Sequence, residues 1–350
     1  MSRSVLLIVS VDTEEDNWRP CRDGVTVENI RELPRLDTLF RRLGVRATYL
    51  TTYQVAIRDW AAATLRELHA GGAELGAHLH PWNTPPLDEP LLARNSMLKN
   101  LPAELQRRKL ERLTATLWEA VGARPLCFRA GRYGIGPDTI TALIQCGYRV
   151  DTSVTPFVSW QDVDDGPTFE GAPLDPYCLG GGADVRIPQP SGALLEIPMS
   201  TGYSRSPFSV WGAVHRLLAA RALRPLHALG LASRLGVVKR ILLSPETSSV
   251  ADMVTLSRRL IDEGHRHLHL FFHSASLCPG LSPFAADRAG VERIYRSIDA
   301  YVEDVSRMAT LTGVTVSEAA ARLAAGGAPE PTAGASASVP TGPPLPPATA

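Results

Sequence analysis

The chain opens on an apolar run, "SVLLIVSV" (4–11), with no polar face. It predicts a strand covered on both sides. The apolar period then switches to that of a helix in "ENIRELPRLDTLFRRLG", closed by Gly44, and back to a strand in "VRATYLTT". "WAAATLRELHAGG" predicts a second helix ended by glycines, and "AELGAHLH" a third strand. "PAELQRRKLERLTATLWEAVG" is the clearest helix: Pro102 suits its first turn, Leu110, Leu113, Leu117 and Val121 form one stripe, and Gly122 ends it. Strand "PLCFRA", helix "GPDTITALIQCG" and strand "YRVDTSV" follow. The rhythm predicts an α/β fold with parallel strands.

Past residue 155 the rhythm thins. Residues 156–193, rich in Pro, Gly and Asp, read as a long ordered-loop insertion; "ALLEIPMS" reads as a strand, and 206–240 as irregular helix. "SVADMVTLSRRLIDEG" predicts a helix with Ser249 as N-cap and Gly264 at its end. "RHLHLFFHS" is the last clear strand and "AADRAGVERIYRSIDAYVEDVSRMA" the last long helix. The expected organisation is one domain over 1–325, with insertions near 83–100 and 155–240. The Pro-, Ala- and Gly-rich tail, 326–350, is expected to be disordered.

Composition narrows the class. Formal net charge is zero, which removes the electrostatic case for a nucleic-acid partner. Five dispersed cysteines without a CxxC pair argue against a disulfide framework or a structural zinc site and suit a reducing compartment. The start "MSRSVLLIVSVDTEED" reads as a core strand rather than a leader, and no apolar run is long enough to span a bilayer. The expectation is a cytoplasmic protein without a transmembrane segment.

In parallel β/α folds, catalytic groups stand at the carboxyl ends of strands. Those ends carry Asp12, Glu14, Glu15 and Asp16 on the first strand, and His78 and His80 on the third. Arg129 and Arg132 follow on the fourth, Asp151 on the fifth and His273 on the last clear strand. Alternate strand residues share a side, so His78 and His80 can face one metal in extended geometry. A carboxylate and two imidazoles make three protein ligands, the number a catalytic divalent metal uses while keeping a position open. A second carboxylate would serve as base, an arginine would hold it ionised, and His273 would donate a proton. His265, His267 and His269 precede the strand end and read as structural. Asp151 either contributes to the site or braces a loop. Trp82 and Trp160 are either glycan-stacking platforms or packing residues.

The motifs "SVDTEEDNW", "LGAHLHPW", "FRAGRYG", "GYRVDTSVTP" and "FFHSASLCPG", in this order, resemble the polysaccharide deacetylase superfamily, the NodB-homology or carbohydrate esterase family 4 group. Within it the chain looks closest to the WalW-type polysaccharide deacetylases. The resemblance implies a distorted, incomplete (β/α)7-type barrel with parallel strands. It implies metal-dependent removal of an acyl group from an N- or O-acylated sugar, with zinc first and cobalt, nickel or manganese as other options. It places Asp12 as general base, Arg129 as its orienting residue and His273 as general acid. Glu14, His78 and His80 would hold the metal. Trp82, Arg132, Tyr133 and Asp151 would meet the substrate, and the backbone around Arg132 and Tyr133 would polarise the acyl oxygen. The chain departs from the family at three points: Thr13 stands where many members have a second aspartate, Trp82 replaces the histidine four after His78, and the third motif is one residue longer. The implied partner is an acylated surface-polysaccharide precursor. Two other readings are a hydrolase of small cyclic amides of the ureide type, and a non-catalytic member that binds a glycan or a protein. An HxH pair is also the metal signature of unrelated amidohydrolase barrels, but there it follows the first strand.

Overall fold

The computed structural model describes residues 3–219 and 239–324. The opening apolar run forms β1 (Ser4–Thr13), buried from Val5 onward. There follow α1 (Leu33–Arg42), β2 (Thr48–Thr51), the single turn α2 (Tyr53–Ala56), α3 (Asp59–Ala70), β3 (Glu74–Leu79), α4 (Ala103–Val121), β4 (Cys127–Ala130), α5 (Pro137–Gln145) and β5 (Val150–Asp151). The second half contributes β6 (Tyr177–Leu179), β7 (Leu194–Glu196), β8 (Thr201–Tyr203), α6 (Phe208–Ala219) and β9 (Arg240–Leu242). It continues with α7 (Val250–Asp262), β10 (His267–His273), α8 (Arg288–Ser306), β11 (Thr310–Val314) and α9 (Val316–Ala324).

The main sheet runs β10-β1-β2-β3-β4-β5-β7-β6, with β11 also paired to β1, and only β6 is antiparallel. β1 is its axis. One edge pairs with β10 along Leu6–Asp12; the other pairs with β11 at Ser4–Ile8 and with β2 at Ser10–Thr13. Among the described residues, no continuous ladder closes the curled sheet. Single hydrogen bonds bridge the gap instead: Ser200 N–H to the His269 carbonyl (3.3 Å), Leu243 N–H to Ser200 (2.9 Å) and Phe271 N–H to Leu243 (3.1 Å). This is the incomplete parallel barrel that the sequence resemblance implied.

The helices follow their sequence signals. The stripe Leu110, Leu113, Leu117 and Val121 of α4 is buried, and Gly122 ends the helix at φ 83° with its N–H on the Trp118 carbonyl. Ser249 caps α7 by accepting the Asp252 N–H at 3.2 Å. Other expectations need correction. The predicted first helix breaks into a 3-10 turn, Glu28–Glu32, and α1, with Pro34 in the first turn of α1. "YRVDTSV" supplies only two strand residues, and the 156–193 loop contains β6. "RHLHLFFHS" is not the last strand, because β11 and α9 follow and cover the lower half of β1. Of the irregular helix expected at 206–240, α6 is described; the 326–350 tail lies outside the described residues. All five cysteines are free thiols. Among the described residues no helix is long and apolar enough to cross a membrane.

Asp151 and Glu196 are Cα partners across β5 and β7, and both are fully buried. Burial, followed by the Asp151 charge, pushes the Glu196 carboxyl well above its ordinary value of 4.5, so the folded chain keeps a proton there. An acid that holds its proton more tightly when folded loses stability as pH rises above its ordinary value toward its native one. Glu196→Gln keeps a donor facing Asp151 and is expected to weaken that loss. Urea midpoints should therefore shift in favour of the variant as pH climbs past 4.5, whereas midpoints that run parallel with pH would contradict it.

Candidate functional site

Strand register gathers the site at one rim. Asp12 is the Cα partner of His273 across β1 and β10, and His78 is the partner of Arg129 across β3 and β4. The Arg129 guanidinium is fully buried. Nη1 donates to Asp12 Oδ1 at 2.6 Å, Nη2 to Ser10 Oγ at 2.7 Å and Nε to the Thr152 carbonyl at 2.9 Å. Burial alone would raise the Asp12 pKa. The Arg129 charge, then His78 and His273, outweigh it and hold the carboxyl below its ordinary value. His269 lies beneath this pair, Nε2 2.8 Å from Ser10 Oγ; burial, then the Arg129 charge, pushes its pKa well down and keeps it neutral.

His80 stands one residue beyond β3, yet its backbone stays extended (φ −97°, ψ 111°). It therefore continues the strand's alternation and turns to the side of His78. The two Nε2 atoms are 3.1 Å apart, and Glu14 Oε2 is 3.3 Å from His80 Nε2 and 3.7 Å from His78 Nε2. Each ring is oriented from behind. His78 Nδ1 lies 3.0 Å from the Arg129 carbonyl and His80 Nδ1 2.7 Å from Glu15 Oε1, so both Nδ1 atoms must donate. Asn83 also donates to Glu15, and the His80 ring stacks on Trp82 at 4.2 Å. Gly131 is required behind the pair, since a Cβ there would lie 2.5 Å from His80 Cδ2.

This donor set fits a divalent cation. With both Nδ1 hydrogens committed, the two Nε2 atoms and a carboxylate oxygen converge on one point, where a cation would displace the Nε2 proton of His80. The local field favours positive charge there. Burial alone would lower the His80 pKa, but Glu15, then Glu14, push it up to about 10, whereas burial pushes His78 down to about 3. The potential ligand atoms of Glu14, His78 and His80 all lie within 4.8 Å of one another.

On the neighbouring strand, His273 Nε2 is 3.8 Å from Asp12 Oδ2. Its Nδ1 meets Glu246 Oε2 at 2.9 Å, and Ser276 Oγ donates to the same carboxylate. Burial alone would lower the His273 pKa; Glu246, then Glu14 and Asp12, push it up to about 10. Glu246 was not legible as a site residue. It follows the three-residue strand β9, too short to mark a strand end in the sequence. Trp18 was likewise missed; its ring meets the His273 ring edge-on at 5.1 Å.

Trp82, Arg132, Tyr133 and Trp160 line the same cleft, which encloses about 550 Å³. Arg132 and Tyr133 form a left-handed turn, at φ 53° and 59°. Arg132 does not reach freely into the cleft: Nη1 pairs with Asp164 Oδ2 at 2.8 Å and also meets Ser96 Oγ. Asp164 and Asp165 form a second left-handed turn, at φ 51° and 57°, so the ion pair locks two strained turns together. Tyr133 stacks on Trp160 at 5.3 Å. The loop after His80 is fastened by the buried Lys109 of α4, whose ammonium donates to the carbonyls of Pro81, Thr84 and Pro86 at 2.6–2.8 Å and pairs with Glu89.

Asp151 departs from the expectation of substrate contact. It is fully buried outside the cleft and accepts from Ser153 N–H (3.0 Å) and Ser153 Oγ (2.8 Å). Ser153 Oγ in turn accepts the Ala130 N–H at 2.9 Å. Asp151 thus braces the strand that carries Arg129. Asp16 is also structural: its carboxylate caps the 3-10 turn through Glu28 N–H and Asn29 N–H. His265 faces Asp175 at 2.8 Å, outside the rim.

No protein-family model matches the chain, and no curated protein matches it. Solved structures do. A candidate polysaccharide deacetylase from Mycobacterium smegmatis aligns over 95% of this chain and 96% of its own, at TM-score 0.51 and 16% identity. A candidate glycoside hydrolase/deacetylase from Parabacteroides distasonis aligns over 91% of this chain and 70% of its own, at TM-score 0.57 and 13% identity. A 4-alpha-glucanotransferase from Thermococcus litoralis also aligns, at TM-score 0.51 and 11% identity, but this chain spans only 41% of it. At these identities the likeness is one of fold.

The geometry predicts how metal affinity divides among the residues. In calorimetric titration with Zn²⁺, His78→Ala, His80→Ala and Glu14→Gln should each abolish tight binding at one equivalent. Glu15→Gln, which removes only the group orienting His80, should weaken it by roughly 10- to 100-fold. Tight binding that survives the loss of His80 would contradict the assignment.

Proposed function

We propose that the chain is a metal-dependent carbohydrate deacetylase that hydrolyses the amide or ester joining an acetyl group to a sugar. The observation that carries this reading is the opposition of Asp12 and His273, 3.8 Å apart, beside the Glu14–His78–His80 set in one cleft. A base held ionised and an acid held protonated stand side by side on the cleft wall, next to the donor set. The fold shared with the two candidate deacetylases supports the same class.

A divalent cation bound by Glu14, His78 and His80 would supply Lewis acidity to the acyl oxygen and lower the pKa of water. The remaining work belongs to the chain. Asp12, kept ionised by Arg129, takes a proton from the water that attacks the acyl carbon. Backbone N–H groups of the Arg132–Tyr133 turn polarise the acyl oxygen. His273, oriented through Nδ1 by Glu246, gives its Nε2 proton to the departing amine or alkoxide. The C–N or C–O bond breaks, and acetate and the deacylated sugar leave. In this reading the substrate is a surface-polysaccharide precursor, and zinc is the first choice of metal.

The test is acetate release from N- and O-acetylated sugars by the Zn²⁺- or Co²⁺-loaded protein. His273→Ala should lower kcat by roughly 10²- to 10⁴-fold while the fold is retained; Asp12→Asn should lower it on the same scale and also destabilise the chain, because it leaves the buried Arg129 charge unpaired. Glu246→Gln should cost less, since it leaves the acid in place but frees its orientation. No acetate from any acetylated sugar would overturn the proposal.

A further inference from the structure

We infer that Arg19 forms a subsite for an anionic group on the substrate, so that the cleft takes an acylated sugar carrying a carboxylate or a phosphate. The inference takes its location from the deacetylase reading and adds a substrate class to it.

Charge accounting within the cleft leads there. Its lining includes Asp12, Glu14, Arg19, Arg132, Asp164 and Glu246. Asp12 is matched by Arg129, Glu14 by His80, Arg132 by Asp164 and Glu246 by His273. Arg19 alone among these has no hydrogen bond or ion pair to any described residue. It is exposed, on the cleft wall beside Trp18.

Its loop is fastened without its help. Asp16 N–H donates to the Thr26 carbonyl at 2.9 Å, and the Trp18 ring packs edge-on against His273 and Phe284. On the other side Arg22 Nε donates to the Trp82 carbonyl at 2.9 Å, and Nη2 to the Glu89 carbonyl at 2.8 Å. A guanidinium on the cleft wall, in a loop anchored on both flanks and without a hydrogen bond or ion pair of its own among the described residues, is available to a ligand. Guanidinium geometry accepts either a carboxylate or a phosphate in bidentate fashion.

The experiment compares three substrates of one ring: N-acetylglucosamine, its 6-carboxylate and its 1-phosphate. For each, kcat/KM is measured for the metal-loaded wild type, Arg19→Gln and Arg19→Lys, and binding of the same sugars is followed in parallel by calorimetry. Wild type should favour at least one anionic sugar over the neutral one by about fivefold, the scale of a single partly exposed ion pair. The anionic-to-neutral ratio should fall to about one in Arg19→Gln, be partly kept in Arg19→Lys, and shrink with added salt. The carboxylate and phosphate arms tell which anion the subsite prefers. A preference that survives Arg19→Gln, or its absence in both turnover and binding, overturns the inference. Charge-selective binding without any acetate release would instead count against the deacetylase reading and leave the subsite standing.

Discussion

The structure turns on one buried ion pair. Arg129 has no access to solvent, so its guanidinium must find every partner inside the barrel. It does so by joining Asp12 on β1, Ser10 one alternation below and the Thr152 carbonyl beyond β5. Removing one partner of such a pair typically costs about 3–5 kcal/mol, because the other charge is left stranded. The pair therefore fixes the relative placement of β1, β4 and β5. The rest of the rim inherits that placement: the Arg129 carbonyl orients His78, and Asp12 sits level with His273 in the ladder.

The cleft walls rest on a second constraint. Among the described residues, four of the five non-glycine residues with positive φ are Arg132, Tyr133, Asp164 and Asp165. Each such conformation costs about 1–3 kcal/mol, so the surroundings must hold it. The Arg132–Asp164 ion pair, the Tyr133–Trp160 stack and the bond from Lys99 Nζ to the Asp165 carbonyl (2.7 Å) do so. The loops that read as insertions are thereby tied to the strand that carries Arg129, and the strain sits beside the proposed chemistry.

Legibility followed physical cause. β1, β3 and β10 were readable because strands buried on both faces need continuous apolar runs, and the rim rule then pointed to Asp12, His78 and His273. The pairing of His78 with His80 was readable from alternation, since the backbone stays extended past the strand end. Three features were not. β11, "TLTGV", is short and only partly buried, so its sequence carries little strand signal. Glu246 reaches His273 through tertiary contact, with no local pattern to announce it. Asp151 obeys the strand-end rule in sequence but sits in a two-residue strand, where its carboxylate turns to Ser153 and away from the cleft.

The central claim is that Glu14, His78 and His80 form one metal site beside Asp12. X-ray absorption spectroscopy of the protein loaded with one equivalent of Zn²⁺ tests it most directly. The account predicts two imidazole nitrogens at about 2.0–2.1 Å, with light oxygen scatterers completing the shell and no sulfur. One imidazole should disappear in His80→Ala. A shell with a single imidazole in the wild type, or one unchanged by the loss of His80, would contradict it.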